Sequence, residues 1–172
     1  RRVDVAVVGG GPAGIAAAVS AAGAGRTVVL LDASPTPGGQ IWRHRDRASL
    51  SAAARMWLDR LDRSGATLLC GAQVVDAGPG TRLGVEHNGS ALTVDAEAVI
   101  LATGAQELFL PFPGWTLPGV VGVGGAQALL KAGMEVRGKR VAVAGTGPLL
   151  LPVAAALARA GADLRMVAEQ AP

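Results

Sequence analysis

Cysteine occurs once in these 172 residues, at Cys70. A single thiol excludes an internal disulfide, a C-x-x-C redox pair and a cysteine-built metal site within the chain. Tyrosine is absent and aromatic residues make up 3% of the chain, although half of it is hydrophobic. Alanine and valine carry much of that apolar content, as expected for small helices packed on parallel strands. The net charge is only +3. Basic residues are scattered apart from "RHRDR" at 43–47, with no aromatic interleaving, so a nucleic-acid partner is not expected. The two histidines, His44 and His87, complete no Ser-His-Asp or Cys-His set, and no carboxylate pair has a telling spacing. No catalytic residue is assigned and no metal is expected. His44 and Arg43 are candidates for proton transfer or ligand contact, but a solvated loop is the simpler reading of both. His87 is expected to be exposed.

One uncharged run, "VAVAGTGPLLLPVAAALA" at 141–158, reaches the lower length for a membrane span. Two glycines and two prolines interrupt it, and its first four residues alternate like a strand. It reads as strand, turn and helix, so no span is expected. No signal peptide opens the chain, and the expected location is the cytoplasm.

What is present begins with "VVGGGPAG", Val7 to Gly14. Val3, Val5, Val7 and Val8 read as a buried strand, "IAAAVSAAGAG" as a closely packed helix, and "RTVVLLD" as a second strand ending at Asp32. Gly9, Gly11 and Gly14 fit G-x-G-x-x-G, and Asp32 lies 18 residues beyond Gly14. That spacing suits a carboxylate on a ribose diol. Gly9 permits the turn, Gly11 lets the backbone approach a pyrophosphate, and Gly14 lets the helix lie close to the strand. The helix N-terminus then offers free N–H groups to phosphate. Pro12 is tolerated because a first-turn N–H has no helical partner. Together these features point to a dinucleotide site.

The plan returns in "GKRVAVAGTGPLLLPVAAALARAGADLRMVAE". A strand is expected at 140–144, a turn with Gly145 and Gly147, a helix to Arg159, and a strand at 163–168 followed by Glu169. Leu150 stands at the third glycine position and should push helix and strand apart, so this second nucleotide site is the weaker one. Glu169 could take the ribose diol of NAD; a dinucleotide-type unit that has lost its ligand is the equal alternative.

Between the two units, "ASPTPGGQIWR" at 33–43 is turn-rich, and Gly38 and Gly39 allow a ligand against the backbone. "RASLSAAARMWLDRLDRSG" places Leu50, Ala54, Trp57, Leu58 and Leu61 on one helical face, so Trp57 is core, and Ser64-Gly65 ends the helix. "ATLLCGAQVVDA" reads as one strand with Cys70 as a small buried hydrophobe. "TRLGVEHNGSALTVDA" is a hairpin turning at Asn88-Gly89. "AVILATGA" is a strand ending in Thr103-Gly104, and "PFPGWTLPGV" at 111–120 is a crossover between domains.

These stretches, "PGGQIWR", "ILATGA", "PFPGWTLPGV" and "VAVAGTGPLLL" among them, resemble the two-dinucleotide-domain flavoproteins of the pyridine nucleotide-disulfide oxidoreductase type. Within that family the likeness is greatest to the alpha or large subunits of opine oxidase, hydrogen cyanide synthase and dye-linked proline dehydrogenase. The resemblance implies an α/β fold: a Rossmann-like FAD-binding domain with a hairpin insertion at 1–118, then the first βαβ of an NAD(P)-type domain at 119–172. It implies FAD as cofactor, with NAD(P) as a second. Carried over by position, Gly9, Gly11 and Gly14 hold the pyrophosphate and Asp32 the adenosine ribose. Gly39 and Gln40 approach the flavin, Val74 the adenine, and Thr103-Gly104 close the site, with Pro12, Ala13, Ala33 and Ala102 beside them.

Such a family chain would complete its second domain and return to the first for a last strand, so this chain reads as truncated or as a short relative that pairs with another. Self-association or a partner subunit is expected, besides a small-molecule substrate. The leading expectation is an FAD-dependent oxidoreductase, a subunit of an amine or amino-acid (opine-like) dehydrogenase or oxidase. The alternatives are an NAD(P)H-dependent reductase of thioredoxin-reductase type, which the missing C-x-x-C disfavours, and a non-catalytic nucleotide-binding fragment or assembly subunit.

Overall fold

The two apolar runs flanking the first glycine turn are neighbours in the computed structural model, which describes residues 1–170. Strand β1 (Arg2–Val8) and strand β2 (Val28–Asp32) pair in parallel, with Val5 beside Val28 and Val8 beside Leu31. Every residue of β2 is buried, because apolar layers cover both faces of the sheet. Val28 and Leu30 point into a cluster with Ile15, Ala18, Leu58 and Leu61 from helices α1 (Pro12–Gly23) and α2 (Ala52–Arg63). Val29 and Leu31 point the other way, onto Ala72, Leu83, Val85 and Val94. The period of two along a strand therefore builds a three-layer unit.

The first sheet has six strands, in the order Thr67–Cys70, β2, β1, Ser90–Leu101, Arg82–His87 and Ala72–Ala77. "ATLLCGAQVVDA" is two strands rather than the expected one. Gly71, at φ +64°, turns the chain between β3 (Thr67–Cys70) and β4 (Ala72–Ala77). β3 then joins β2 in parallel, and β4 joins β5 (Arg82–His87) antiparallel. The next turn is the hairpin that Asn-Gly announces: Asn88 and Gly89 both have positive φ, and His87 pairs with Ser90. The twelve-residue strand β6 (Ser90–Leu101) serves twice. Residues 90–95 pair with β5, and the stretch from Asp95 onward pairs in parallel with β1.

The Ser51 hydroxyl caps α2 by accepting the Ala54 N–H at 3.3 Å. The helix ends at Ser64 and Gly65, as its sequence indicates. Trp57 is half-buried against the helix-side cluster and carries the Arg60 guanidinium 5.0 Å from its ring centre.

The chain divides into Arg1–Gly104 and a second compact unit from Ala105, earlier than the expected division at 118/119. The second unit contains a helix absent from the sequence reading, α3 (Val123–Lys131). Glu107 explains both differences. Its Oε2 accepts the N–H groups of Gly124 at 3.0 Å and Gly125 at 3.4 Å, so the segment after Gly104 is tied to the start of α3. β7 (Arg140–Gly145) and β8 (Asp163–Glu169) follow as a parallel pair joined by α4 (Leu150–Arg159). Leu150, Val153, Ala154 and Leu157 bury against Val143, Val136 and Ala126. The uncharged run at 141–158 is thus strand, turn and helix. Among the described residues no helix is long and apolar enough to cross a membrane.

Candidate dinucleotide site

The site is built where β1 gives way to α1. The Gly9 N–H donates to the Leu31 carbonyl at 2.8 Å, which ties the turn to β2. Gly9 has φ +106°, and a Cβ there would collide with the Ala102 carbonyl. A Cβ at Gly14 would collide with the Gly9 carbonyl and lie 3.4 Å from the Ala102 Cβ. The Ala102 N–H donates to the Val8 carbonyl at 2.8 Å. Residues 9, 14 and 102 therefore meet backbone to backbone, and protein packing alone accounts for both glycines. Thr103 passes beside Gly9 and is exposed, as is Gly104.

Gly11 is different. Its φ of −74° and ψ of −178° suit any residue, and a Cβ there would meet nothing closer than the Gly39 Cα at 4.0 Å. Neither its dihedrals nor any packed neighbour requires glycine at this position. Gly11 is the N-cap of α1, no side chain caps the helix, and Pro12 occupies its first turn. The N–H groups of Ala13 and Gly14 stand at the positive end of the helix dipole.

The acid is in place. Asp32 is only 6% exposed, and its Oδ1 accepts the Ser34 N–H at 2.7 Å. A Cβ on Gly10 would collide with Asp32 Oδ2, so the bare middle glycine makes room for the carboxylate. Ala33 follows on the surface. The loop after it returns to the turn: the Gly38 N–H donates to the Gly10 carbonyl at 2.7 Å, and a Cβ at Gly39 would come 2.9 Å from the Gly11 Cα. Gln40 is exposed next to it.

The other sequence candidates sit in the loop before α2 and on β4 and β5. Val74 is half-buried on β4, in the layer opposite the helices. His44 is half-buried and its Nδ1 donates to the Trp42 carbonyl at 2.8 Å, while Arg43 is exposed. His87 is half-buried rather than exposed, because it lies within β5 with Ala72 and Ser90 on the strands to either side, and its Nε2 accepts from the Asn88 side chain at 3.2 Å. Cys70 is half-buried too, in register with Asp32 across β2 and β3. Burial first, and the Asp32 charge second, push its thiol up from the ordinary cysteine value. Sequence reasoning missed Gly10, Ser34 and Glu107; three consecutive glycines were the available sign of the first.

In the second unit Gly145 and Gly147 both have positive φ, at +154° and +118°, whereas of their counterparts only Gly9 does. Leu150 is 4% exposed, with Cδ1 placed 3.9 Å from where a Cβ on Gly145 would lie. Glu169 is exposed at the end of β8, and its Oε1 accepts the Gln170 N–H at 3.1 Å.

The chain is similar to proteins already known. The chain is 40% identical to an opine oxidase subunit of Agrobacterium tumefaciens (strain Ach5), over 92% of this chain and 35% of that protein. It is 39% identical to the HcnB subunit of hydrogen cyanide synthase from Pseudomonas aeruginosa, over 95% of this chain and 38% of that one. Among solved structures, L-proline dehydrogenase from P. horikoshii superposes with a TM-score of 0.77 at 28% identity, covering 98% of this chain and 35% of its own. The chain thus spans little more than a third of the length of these relatives. The family model for pyridine nucleotide-disulphide oxidoreductases matches residues 3–171, and the chain belongs to that family.

Proposed function

We propose that the first unit binds FAD and that the chain is part of an FAD-dependent oxidoreductase, a subunit of an amine or amino-acid (opine-like) dehydrogenase or oxidase. Gly11 carries this reading. A glycine with ordinary dihedrals and open space at its Cβ is not demanded by packing, but it is demanded where a pyrophosphate must touch the backbone. FAD bound there would supply hydride and electron transfer.

The chain's own residues bind and orient. The N–H groups of Ala13 and Gly14 meet the phosphates, with Gly9 and Pro12 shaping the turn. Asp32, beside Ala33, accepts the adenosine ribose hydroxyls. Gly39 and Gln40 lie toward the flavin and Val74 toward the adenine, while Ala102, Thr103 and Gly104 close the far side. The second unit repeats the NAD(P)-type plan with Gly145, Gly147 and Glu169, but Leu150 is buried at its third glycine position, which makes it the weaker nucleotide site or one that has lost its ligand. The relatives are named as subunits, which supports a partner chain here as well as a small-molecule substrate.

The test is spectroscopic. The purified chain, supplied with FAD, should retain a flavin absorbance through gel filtration. In complex with its partner, that flavin should bleach anaerobically with an opine or amino acid. Bleaching by NAD(P)H alone would favour a reductase, and failure to retain flavin would leave a non-catalytic assembly role.

A further inference from the structure

We propose that Gly10 is a positioning residue: its missing side chain sets the direction of the Asp32 carboxylate and, through it, recognition of the ribose diol. The inference rests on the FAD reading and adds a residue to it. Two contacts fix Asp32. Its Oδ1 takes the Ser34 N–H at 2.7 Å. Ser34 is itself held, because its carbonyl accepts the Gly71 N–H at 2.9 Å from the turn after β3. On the remaining side Oδ2 lies over Gly10, where a Cβ would overlap it and also stand 2.9 Å from the Asp32 Cβ and Cγ.

That geometry leaves little slack. Asp32 is 6% exposed and sits at the end of a strand buried on both faces. A methyl at position 10 cannot be avoided by swinging only the carboxylate, since the Asp32 Cβ is also too near. The carboxylate must rotate away from its Ser34 partner, the turn must shift, or both. Gly10 differs from Gly9 and Gly14, whose absent side chains make room for backbone. It also differs from Gly11, which faces open space. Of the four glycines in this turn, Gly10 is the one that makes room for a polar side chain.

The test uses the 172-residue chain with two probes, ADP and 2′,3′-dideoxy-ADP, titrated into wild type, Gly10→Ala, Asp32→Asn and the double variant. Wild type should prefer ADP by about 10- to 100-fold, the value of a charge-assisted hydrogen bond. Gly10→Ala should lose most of that preference while binding the dideoxy probe as wild type does. Asp32→Asn should lose it too, and the double variant should lose no more than either single one. A merely structural role for Gly10 would weaken both probes equally. That outcome, an unchanged ADP preference in Gly10→Ala, or losses that add in the double variant would each overturn the proposal and leave the cofactor reading intact. Failure of wild type to bind ADP would instead overturn the cofactor reading. If Gly10→Ala does not fold, Gly10→Ala/Asp32→Gly, which removes every atom the methyl meets on Asp32, should restore a cooperative melt; a double variant that stays unfolded overturns the proposal.

Discussion

Both units run strand, glycine turn, helix, parallel strand and acid, but their helices begin in different places. In the first unit α1 starts at Pro12, directly after Gly11, and the Ile15 N–H already donates to the Gly11 carbonyl at 2.9 Å. In the second, the position matching Pro12 is Pro148, yet α4 starts only at Leu150. Residues 147–150 form a tighter turn, with the Leu150 N–H on the Gly147 carbonyl at 3.2 Å. The third glycine position accounts for this. At Gly14 any Cβ would overlap the Gly9 carbonyl, so that close a helix admits only glycine. Leu150 cannot sit there. It turns into the core instead, and the helix forms later. The acids diverge likewise: Asp32 is buried and held by Ser34, whereas Glu169 is exposed. One motif thus specifies two states, a cradle and a packed corner, according to whether residue 14 or its counterpart carries a side chain.

Making the first unit resemble the second is the harshest way to break this contrast. Gly14→Leu should abolish flavin retention and destabilise the first unit by about 3 kcal/mol or more through overpacking, read by gel filtration with FAD and by urea unfolding. A variant that kept its flavin would show that helix approach is irrelevant to binding. The reverse change comes next. Leu150→Ala should cost about 2–5 kcal/mol, as for a large-to-small core substitution, and gain no NADH affinity in a fluorescence titration. If NADH bound, the leucine alone would have been closing the second site.

The smallest effect concerns the starts of the strands. In the first unit the Asp4 carboxylate accepts the Thr27 N–H at 2.7 Å, and the Thr27 hydroxyl accepts the Asp4 N–H at 2.9 Å. These bonds, the backbone one foremost, hold the Asp4 carboxyl below its ordinary value. A carboxyl lowered in the folded state stabilises fully above its unfolded pKa, and the contribution fades as pH falls through the lower folded one. At the matching place in the second unit, the Asp163 N–H donates to the Lys139 carbonyl, a bond without a titrating partner. Asp4→Asn should therefore flatten slightly the acid dependence of first-unit unfolding. An unchanged pH profile below about pH 4 would remove Asp4 from the account.

Much of this was legible from local patterns. Alternating and β-branched runs located β1, β2, β7 and β8, Asn88-Gly89 located the hairpin, and Ser64-Gly65 the end of α2, since each depends on residues adjacent in the chain. The unread features depend on distant partners. α3 begins where it does because Glu107, far upstream, takes the N–H groups of Gly124 and Gly125. The break at Gly71 between β3 and β4 depends on which neighbours the two strands find. At the site, the glycine pattern indicated Gly9, Gly11, Gly14 and Asp32 together. It did not separate the glycines that packing needs from the one it does not, and Gly10 was hidden because its role is defined by a side chain twenty-two residues away.

Gly11→Ala tests the central claim most directly, with FAD titration and thermal melting measured on the same preparation. A methyl there meets no protein atom closer than 4.0 Å, so the flavin-free chain should stay folded and melt only slightly below wild type, by the difference between glycine and alanine as the N-cap of α1. The same methyl should stand against the pyrophosphate, and FAD should no longer be retained. A variant that stays folded and binds FAD as wild type does would contradict the assignment of this turn as the cofactor cradle.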